Sequence, residues 1–257
     1  MNESKRSPAP VGASSAAQTV NPRTLCIDIG GTGIKTLVVG PDGMHRSERL
    51  RVDTPRPATP RALVKAIIGL ATQQGEFDRV SVGFPGVVRK GVVETAFNLH
   101  KDWIGVNVDR TLTKELGKPV RAANDADVQG LGAVKGEGVE LVITLGTGFG
   151  SALFVDGRLV PNVQLGHHAG WNKKSYEEEL GKKALKKAGR KKWNRRLRKA
   201  IASLAALFHY DRLYIGGGNA AKIDFELPAR VKVVSNVEGL LGGLALWNGK
   251  ENSYGVR

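Results

Sequence analysis

Apolar residues along the chain fall into two rhythms. Short, near-continuous apolar runs read as buried strands. They occur at Thr24–Ile29 (TLCIDI), Ile34–Val39 (IKTLVV), 79–83, 120–123, 140–145, 151–155, 212–215 and 231–234, with 46–52 as a further candidate. Helical spacing appears at 60–74, where Leu63, Ile67 and Leu70 share one face, and helices are also predicted at 109–116, 125–134, 177–187, 191–208 and 239–247. Gly189 parts the fourth of these from the fifth. In the fifth, Trp193, Leu197, Ile201, Leu204 and Phe208 make one stripe and leave most basic residues facing out. Strands alternating with helices predict an α/β fold. Residues 1–22, rich in Ser, Ala and Pro and without periodicity, read as a disordered tail. No apolar core of signal-peptide length occurs there, and no run approaches the roughly 18 residues of a membrane span. The expectation is a cytoplasmic protein with no membrane partner.

Two segments echo one another. GTGIKTLVVGPDG begins at Gly31 and GTGFGSALFVDG at Gly146, 115 positions later. Each runs from Gly-Thr-Gly through an apolar strand to Asp-Gly, as two halves built on one plan would. The first turn, Gly30-Gly31-Thr32-Gly33, follows a strand and is itself followed by one. Glycine leaves room for a close ligand, so backbone N–H groups can point at phosphate oxygens, and Lys35 adds a positive charge. A dinucleotide fingerprint needs a helix after the glycines, and a Walker A loop needs Gly-Lys-Ser/Thr; neither is present. What remains is a strand–turn–strand phosphate clamp or a plain hairpin turn. Gly146-Thr147-Gly148 repeats the device. A third run, Gly216-Gly217-Gly218-Asn219, follows the strand at 212–215, at the carboxyl end where open α/β sheets bind ligands. Three such turns after three strands favour the clamp.

Charge sharpens the picture. Of 257 residues, 41% are hydrophobic and 25% charged, as in ordinary soluble proteins. Lys and Arg number 39 against 24 acids, a net charge of +15. Residues 173–199 hold thirteen of those cations and three acids, and so carry +10 of the total. Such a field attracts polyanions; the alternative is a solvated helical face. Cys26 is the only cysteine, which excludes an internal disulfide and a thiolate zinc cluster.

Two polar groups add chemistry. Asn124-Asp125 follows a strand and opens a helix. Asp125 is either an N-cap or, beside a phosphate clamp, a carboxylate that takes the proton of an attacking hydroxyl. In Gln164-Leu165-Gly166-His167-His168 two adjacent histidines could bind metal, but the lack of further ligands at suitable spacing favours sugar-hydroxyl recognition or loop packing.

Together these residues resemble the ROK-family sugar kinases. Asp28 to Lys35 (DIGGTGIK) looks like the family's first phosphate motif, and Gly83-Phe84-Pro85-Gly86 is similar to its G-x-P-G turn. Asn98 and Trp103 resemble its sugar-loop pair, Asn124-Asp125 its catalytic Asn-Asp, and residues 145–150 its second phosphate motif. The resemblance spans roughly residues 23–247. It implies an actin-like ATPase (RNase H-like) fold, with two α/β lobes at 23–121 and 122–257 and the active site in the cleft between them. Within the family, Gly166-His167-His168, Tyr176-Glu177-Glu178, the Lys-rich stretch and Tyr214 to Asn219 look most like the polyphosphate glucokinases. The implied reaction is phosphoryl transfer from inorganic polyphosphate, with ATP as a further donor, to the 6-hydroxyl of glucose.

The implied roles follow. Asp125 is the general base. Asn98, Asn124, Gln164, His167 and Glu177 hold the sugar, with Glu178 the neighbouring register for the last. Gly30, Gly31, Thr32, Gly33, Lys35, Thr147, Gly148, Gly217 and Gly218 hold phosphate. Asp28 holds Mg²⁺, for which hard oxygen ligands suit. Lys182, Lys183, Lys186, Lys187, Lys191 and Lys192 form a polyphosphate track. Two departures stand out. No cysteine follows Gly166-His167, so the zinc of many ROK proteins is not expected. Gln164 stands where the family pattern has Glu, which retunes sugar affinity or preference. The resemblance implies a homodimer and no specific nucleic acid, since too few residues precede the first strand for a helix-turn-helix domain. The alternatives are an ATP-dependent hexose or amino-sugar kinase (mannose among its substrates), a basic nucleic-acid-binding protein, and a sugar-binding pseudokinase.

Overall fold

The computed structural model describes residues 21–170 and 173–248. The tail expected at 1–22 lies almost wholly outside the described residues.

The first half begins with strands β1 (Thr24–Ile29), β2 (Ile34–Val39) and β3 (Leu50–Val52), paired antiparallel in sequence. Of the strand candidate at 46–52, only the last three residues pair in this way; earlier in that segment Arg46 N–H bonds back to Val38 O. Helix α1 (Pro60–Ala71) has Thr59 as N-cap, its hydroxyl accepting from Ala62 N, and Pro60 where its missing N–H costs nothing. The chain then forms β4 (Arg79–Phe84), a short hairpin of β5 (Val88–Arg89) and β6 (Val92–Val93), α2 (Val108–Leu116) and β7 (Val120–Asn124). Strands β4 and β7 add in parallel, giving a five-stranded sheet ordered β3-β2-β1-β4-β7.

The second half repeats the sequence of events. After α3 (Asp125–Ala133), strands β8 (Val139–Leu145), β9 (Phe149–Val155) and β10 (Arg158–Val160) pair antiparallel. Helices α4 (Tyr176–Leu180), α5 (Lys182–Ala188) and α6 (Arg190–Phe208) follow, then β11 (Arg212–Gly216), β12 (Val231–Val233) and α7 (Asn236–Ala245). Strands β11 and β12 add in parallel, giving the order β10-β9-β8-β11-β12. Both sheets therefore run third-second-first-fourth-fifth, and the two glycine turns hold equivalent places between first and second strands. The two-lobed α/β architecture and the internal repeat are both present.

Each half has its own core. In the first, α1 and α2 cover the sheet with Leu63, Ile67 and Leu112; in the second, α6 covers it with Trp193, Leu197 and Leu204. The helices that follow the fifth strand of each sheet, α3 and α7, pack on one another at the junction, and α7 returns to lie on β1 and β4 of the first sheet. A side chain at Gly242 would strike Val128 O and Gly132 N of α3, so the crossing requires glycine there. Ser81 Oγ donates to Gly243 O at 2.6 Å and accepts from Trp247 Nε1 at 2.9 Å, while Arg121 stacks over the Trp247 ring at 4.5 Å. The expected lobe boundary at 121/122 thus falls inside β7. The sheets part only after Asn124, and the last helix belongs spatially to the first lobe.

The helix expected at 177–187 is two helices. Gly181 breaks it in extended geometry (ψ 170°), and the site favours glycine, since a Cβ there would stand 2.8 Å from Glu177 O and 3.0 Å from Thr147 O on the second glycine turn. Lys182 N–H instead donates to Gly146 O at 3.0 Å. Close approach to the turn overrides helix propensity at this residue.

Candidate active site

A cleft of about 360 Å³ opens between the halves. Both glycine turns face it. The first closes on itself through Gly30 N–H to Gly33 O at 2.9 Å and is braced by Thr54, whose hydroxyl donates to Gly30 O at 2.5 Å. The second is braced from behind by Asn219, which gives its backbone N–H to Leu145 O and its side-chain amide to Gly146 O, each at 2.9 Å. The turns meet: a Cβ on Gly31 would stand 3.3 Å from both Thr147 Cγ2 and Asn98 Cβ.

Asp125 lies at the floor, where β7 turns into α3. Asn124 sets that turn. Its Oδ1 caps the helix by accepting from Ala126 N at 2.9 Å and Asp127 N at 3.2 Å, and its Nδ2 donates to Gly86 O at 3.1 Å. The cap is thus Asn124, and Asp125 is left facing the cleft with one oxygen accepting from Ala126 N at 2.8 Å. Its carboxyl is pushed up to about 8, first by burial and then by the charges of Asp28 and Asp127, against the pull of Ala126 N–H and Lys35. A carboxyl tuned near neutrality is suited to accept a proton.

Asp28 and Lys35 face each other across β1 and β2 and form an ion pair at 2.6 Å beside the first turn. Asn98, Gln164, His167 and Glu177 line the same cleft, with Asn98 and Glu177 against the second turn: a Cβ on Gly148 would strike Glu177 Oε2 and stand 3.3 Å from Asn98 Nδ2. Glu177 Oε2 accepts from Phe149 N at 3.3 Å, whereas Glu178 faces away and completes a capping box with Ser175. The sugar-loop Trp103 does not reach the cleft. It is fully buried, its indole donating to Ala58 O at 3.0 Å and its ring edge-on to Phe84, so it supports the loop from below.

Every expected sugar and phosphate residue lines this one cavity, together with Asp28. Of the six track lysines, only Lys182 does; Lys183, Lys186, Lys187, Lys191 and Lys192 continue outward on the exposed faces of α5 and α6. Not all of the basic stretch is available to a ligand. Arg196 is tied to buried Glu179 at 2.7 Å, and Arg198 lies over the Phe225 ring. Sequence reasoning missed Arg51, Phe97, Gln129 and Thr144 in the lining. Thr144 was recoverable, since it immediately precedes the second turn motif. Phe97, whose ring lies 3.9 Å from that of His167, carried no signal.

Among the described residues, no cluster of three His, Cys, Asp or Glu forms a metal site, and no helix is long and apolar enough to cross a membrane.

Comparison with known proteins agrees with this geometry. The model of the ROK family matches residues 24–173. The polyphosphate glucokinase of Mycobacterium tuberculosis (strain CDC 1551 / Oshkosh) is 36% identical over 234 residues, covering 84% of this chain and 88% of that protein. The crystal structure of the inorganic polyphosphate/ATP-glucomannokinase from Arthrobacter sp. strain KM superposes with a TM-score of 0.80 at 34% identity, covering 87% of this chain and 97% of that one. A ROK family glucokinase from Streptomyces griseus, in complex with glucose and AMPPNP, shares the fold at a TM-score of 0.73 and 22% identity, covering 87% and 98%.

Proposed function

The chain belongs to the ROK family, and we propose that it transfers a phosphoryl group from inorganic polyphosphate, with ATP as a second donor, to the 6-hydroxyl of glucose. The observation that carries this reading is Asp125: a carboxyl tuned to about 8, at the floor of a cleft whose two walls each present a glycine turn.

In this reading the sugar lies against Asn98, Asn124, Gln164, His167 and Glu177, with its 6-hydroxyl toward Asp125. The donor's terminal phosphate lies between the turns, where Thr32, Thr147 and backbone N–H groups meet its oxygens and Gly217 and Gly218 close the far side. The sugar O6–P bond forms as the P–O bond to the shortened donor breaks, and Asp125 takes the hydroxyl proton. Positioning and charge neutralisation supply most of the rate. Asp28, a hard oxygen donor lining the cleft beside the first turn, suits a divalent cation that arrives with the donor's phosphates. Asp28 would hold Mg²⁺ there, and the ion would neutralise phosphate charge.

Polyphosphate is favoured over ATP by what lies beyond the cleft. Lys182 stands at the rim, and α5 and α6 carry Lys183, Lys186, Lys187, Lys191 and Lys192 onward, a track for a chain bearing about one charge per phosphate. Binding along it releases counterions, as on nucleic acids. Gln164 keeps an acceptor but lacks the charge of the family's Glu. Since bonds to charged groups are worth about 1.5–3 kcal/mol against 0.5–1.5 for neutral ones, glucose affinity is set roughly tenfold lower, or preference moves toward another hexose such as mannose.

The test supplies Mg²⁺ and glucose with long-chain polyphosphate or ATP in separate reactions and measures glucose 6-phosphate. A higher kcat/KM with polyphosphate supports the donor assignment. Product from ATP alone removes it. No product from either donor with glucose or mannose removes the kinase reading in favour of a sugar-binding protein.

A further inference from the structure

Arg51 brings a cation to the cleft that none of the recognised motifs accounts for. It stands on β3 directly opposite Lys35 on β2, and Lys35 in turn stands opposite Asp28 on β1. Directly opposed residues share a sheet face, so Asp28, Lys35 and Arg51 form a ladder whose three side chains all line the cleft. Two cations placed opposite one another repel. Asp28 offsets Lys35, but the counter-ion of Arg51 is Asp53, at 2.8 Å and 83% exposed, a pairing that water largely screens. The position is nonetheless prepared. A Cβ on Gly33 would stand 2.8 Å from Nη2 and 2.9 Å from Nε of Arg51, so the glycine of the first turn leaves the space the guanidinium fills. Besides Asp53, Nη2 contacts Thr32 O at 3.3 Å, which holds it over the turn, and among the described residues the Nε and Nη1 donors of the planar fork make no hydrogen bond.

We propose that Arg51 is a ligand of the donor's phosphate chain, gripping it from the first half while Lys182 grips it from the second. An anion between Arg51 and Lys35 relieves their repulsion, and a guanidinium matches phosphate oxygens in bidentate fashion. The inference rests on the cleft being a phosphoryl-transfer site.

The test uses the full chain. Arg51→Gln is expected to raise KM for polyphosphate and for ATP about tenfold or more, with KM for glucose unchanged, and Arg51→Lys to restore part of the loss. Calorimetric binding of tripolyphosphate, without sugar, is expected to weaken in parallel. Gly33→Ala, which crowds the guanidinium without removing it, is expected to combine with Arg51→Gln to less than the product of their separate effects. If folded Arg51→Gln protein keeps its donor KM and its tripolyphosphate affinity and loses only melting temperature, Arg51 merely fastens β3 to the turn and the proposal is overturned. If the wild type neither binds tripolyphosphate nor transfers phosphate, the phosphoryl-transfer reading itself falls and takes this one with it.

Discussion

At equivalent places beside the two glycine turns, the first half carries Asp28 opposite Lys35, and the second carries Thr144 opposite Gly150. The sheets have the same order, so the difference comes from what packs against each. A Cβ on Gly150 would strike Thr144 Oγ1 and stand 3.0 Å from Ala126 Cβ. The second half has given up a side chain there so that the start of α3, with Asp125, can lie against β9. The first half keeps its cross-strand position and fills it with charge. One fold plan, used twice, thus yields a division of labour: charges that tune the base on one wall, and room for the base on the other.

Removing the base should have the largest effect. Asp125→Asn is expected to lower kcat by ~10²–10⁴-fold, measured at saturating sugar and donor. Its melting temperature should not fall. The raised carboxyl pKa means that stability from this group declines as pH rises from the unfolded value near 4 toward about 8, and Asn removes that loss. A lower melting temperature together with a small change in kcat would make Asp125 structural.

The two walls can then be set against each other. Lys35→Met should cost on the order of 10²-fold in kcat/KM, as losing one preorganised group does. Thr144→Val, at the neutral counterpart of Asp28, should cost about tenfold or less. Equal losses would break the division of labour.

Glycines test how the halves are joined. Gly242→Ala puts a methyl into the backbone of α3 and should destabilise by about 1–3 kcal/mol or more, lowering the melting temperature by roughly 2–4 °C per kcal/mol. Gly69→Ala, in the interior of α1 with open space around its Cα, should stabilise by about 0.5–1 kcal/mol. A Gly242→Ala protein that melts no lower than the wild type would show that the α3–α7 crossing is not a tight contact.

Much of this was legible in the sequence, and the reasons differ by region. Strands β1, β2, β8 and β9 were readable because apolar runs meet glycine turns, and the recurrence of that pattern pointed to two halves on one plan without proving them. The hairpin β5–β6 and strand β10 were not, since two or three residues display no period. The break at Gly181 depends on Thr147 O, a contact made from 34 residues away that local propensity cannot register. The return of α7 to the first sheet joins Gly243 to Ser81, and no local pattern encodes such a pairing. In the site, residues within recognisable turns were found. Arg51 was not, because it sits in a short polar-flanked strand and gains its meaning only from lying opposite Lys35 and on Gly33.

The central claim is that burial in the cleft, reinforced by the Asp28 charge on the first wall, raises the Asp125 carboxyl. Titration of the Asp125 carboxyl by ¹³C NMR, in the wild type and in Asp28→Asn, with the resonance assigned by its loss in Asp125→Asn, measures this directly. The account predicts a midpoint near 8 in the wild type, with kcat/KM rising through the same range as the base ionises, and a lower midpoint once the Asp28 charge is gone. A wild-type midpoint in the ordinary carboxylate range near 4, unmoved by Asp28→Asn, would contradict it.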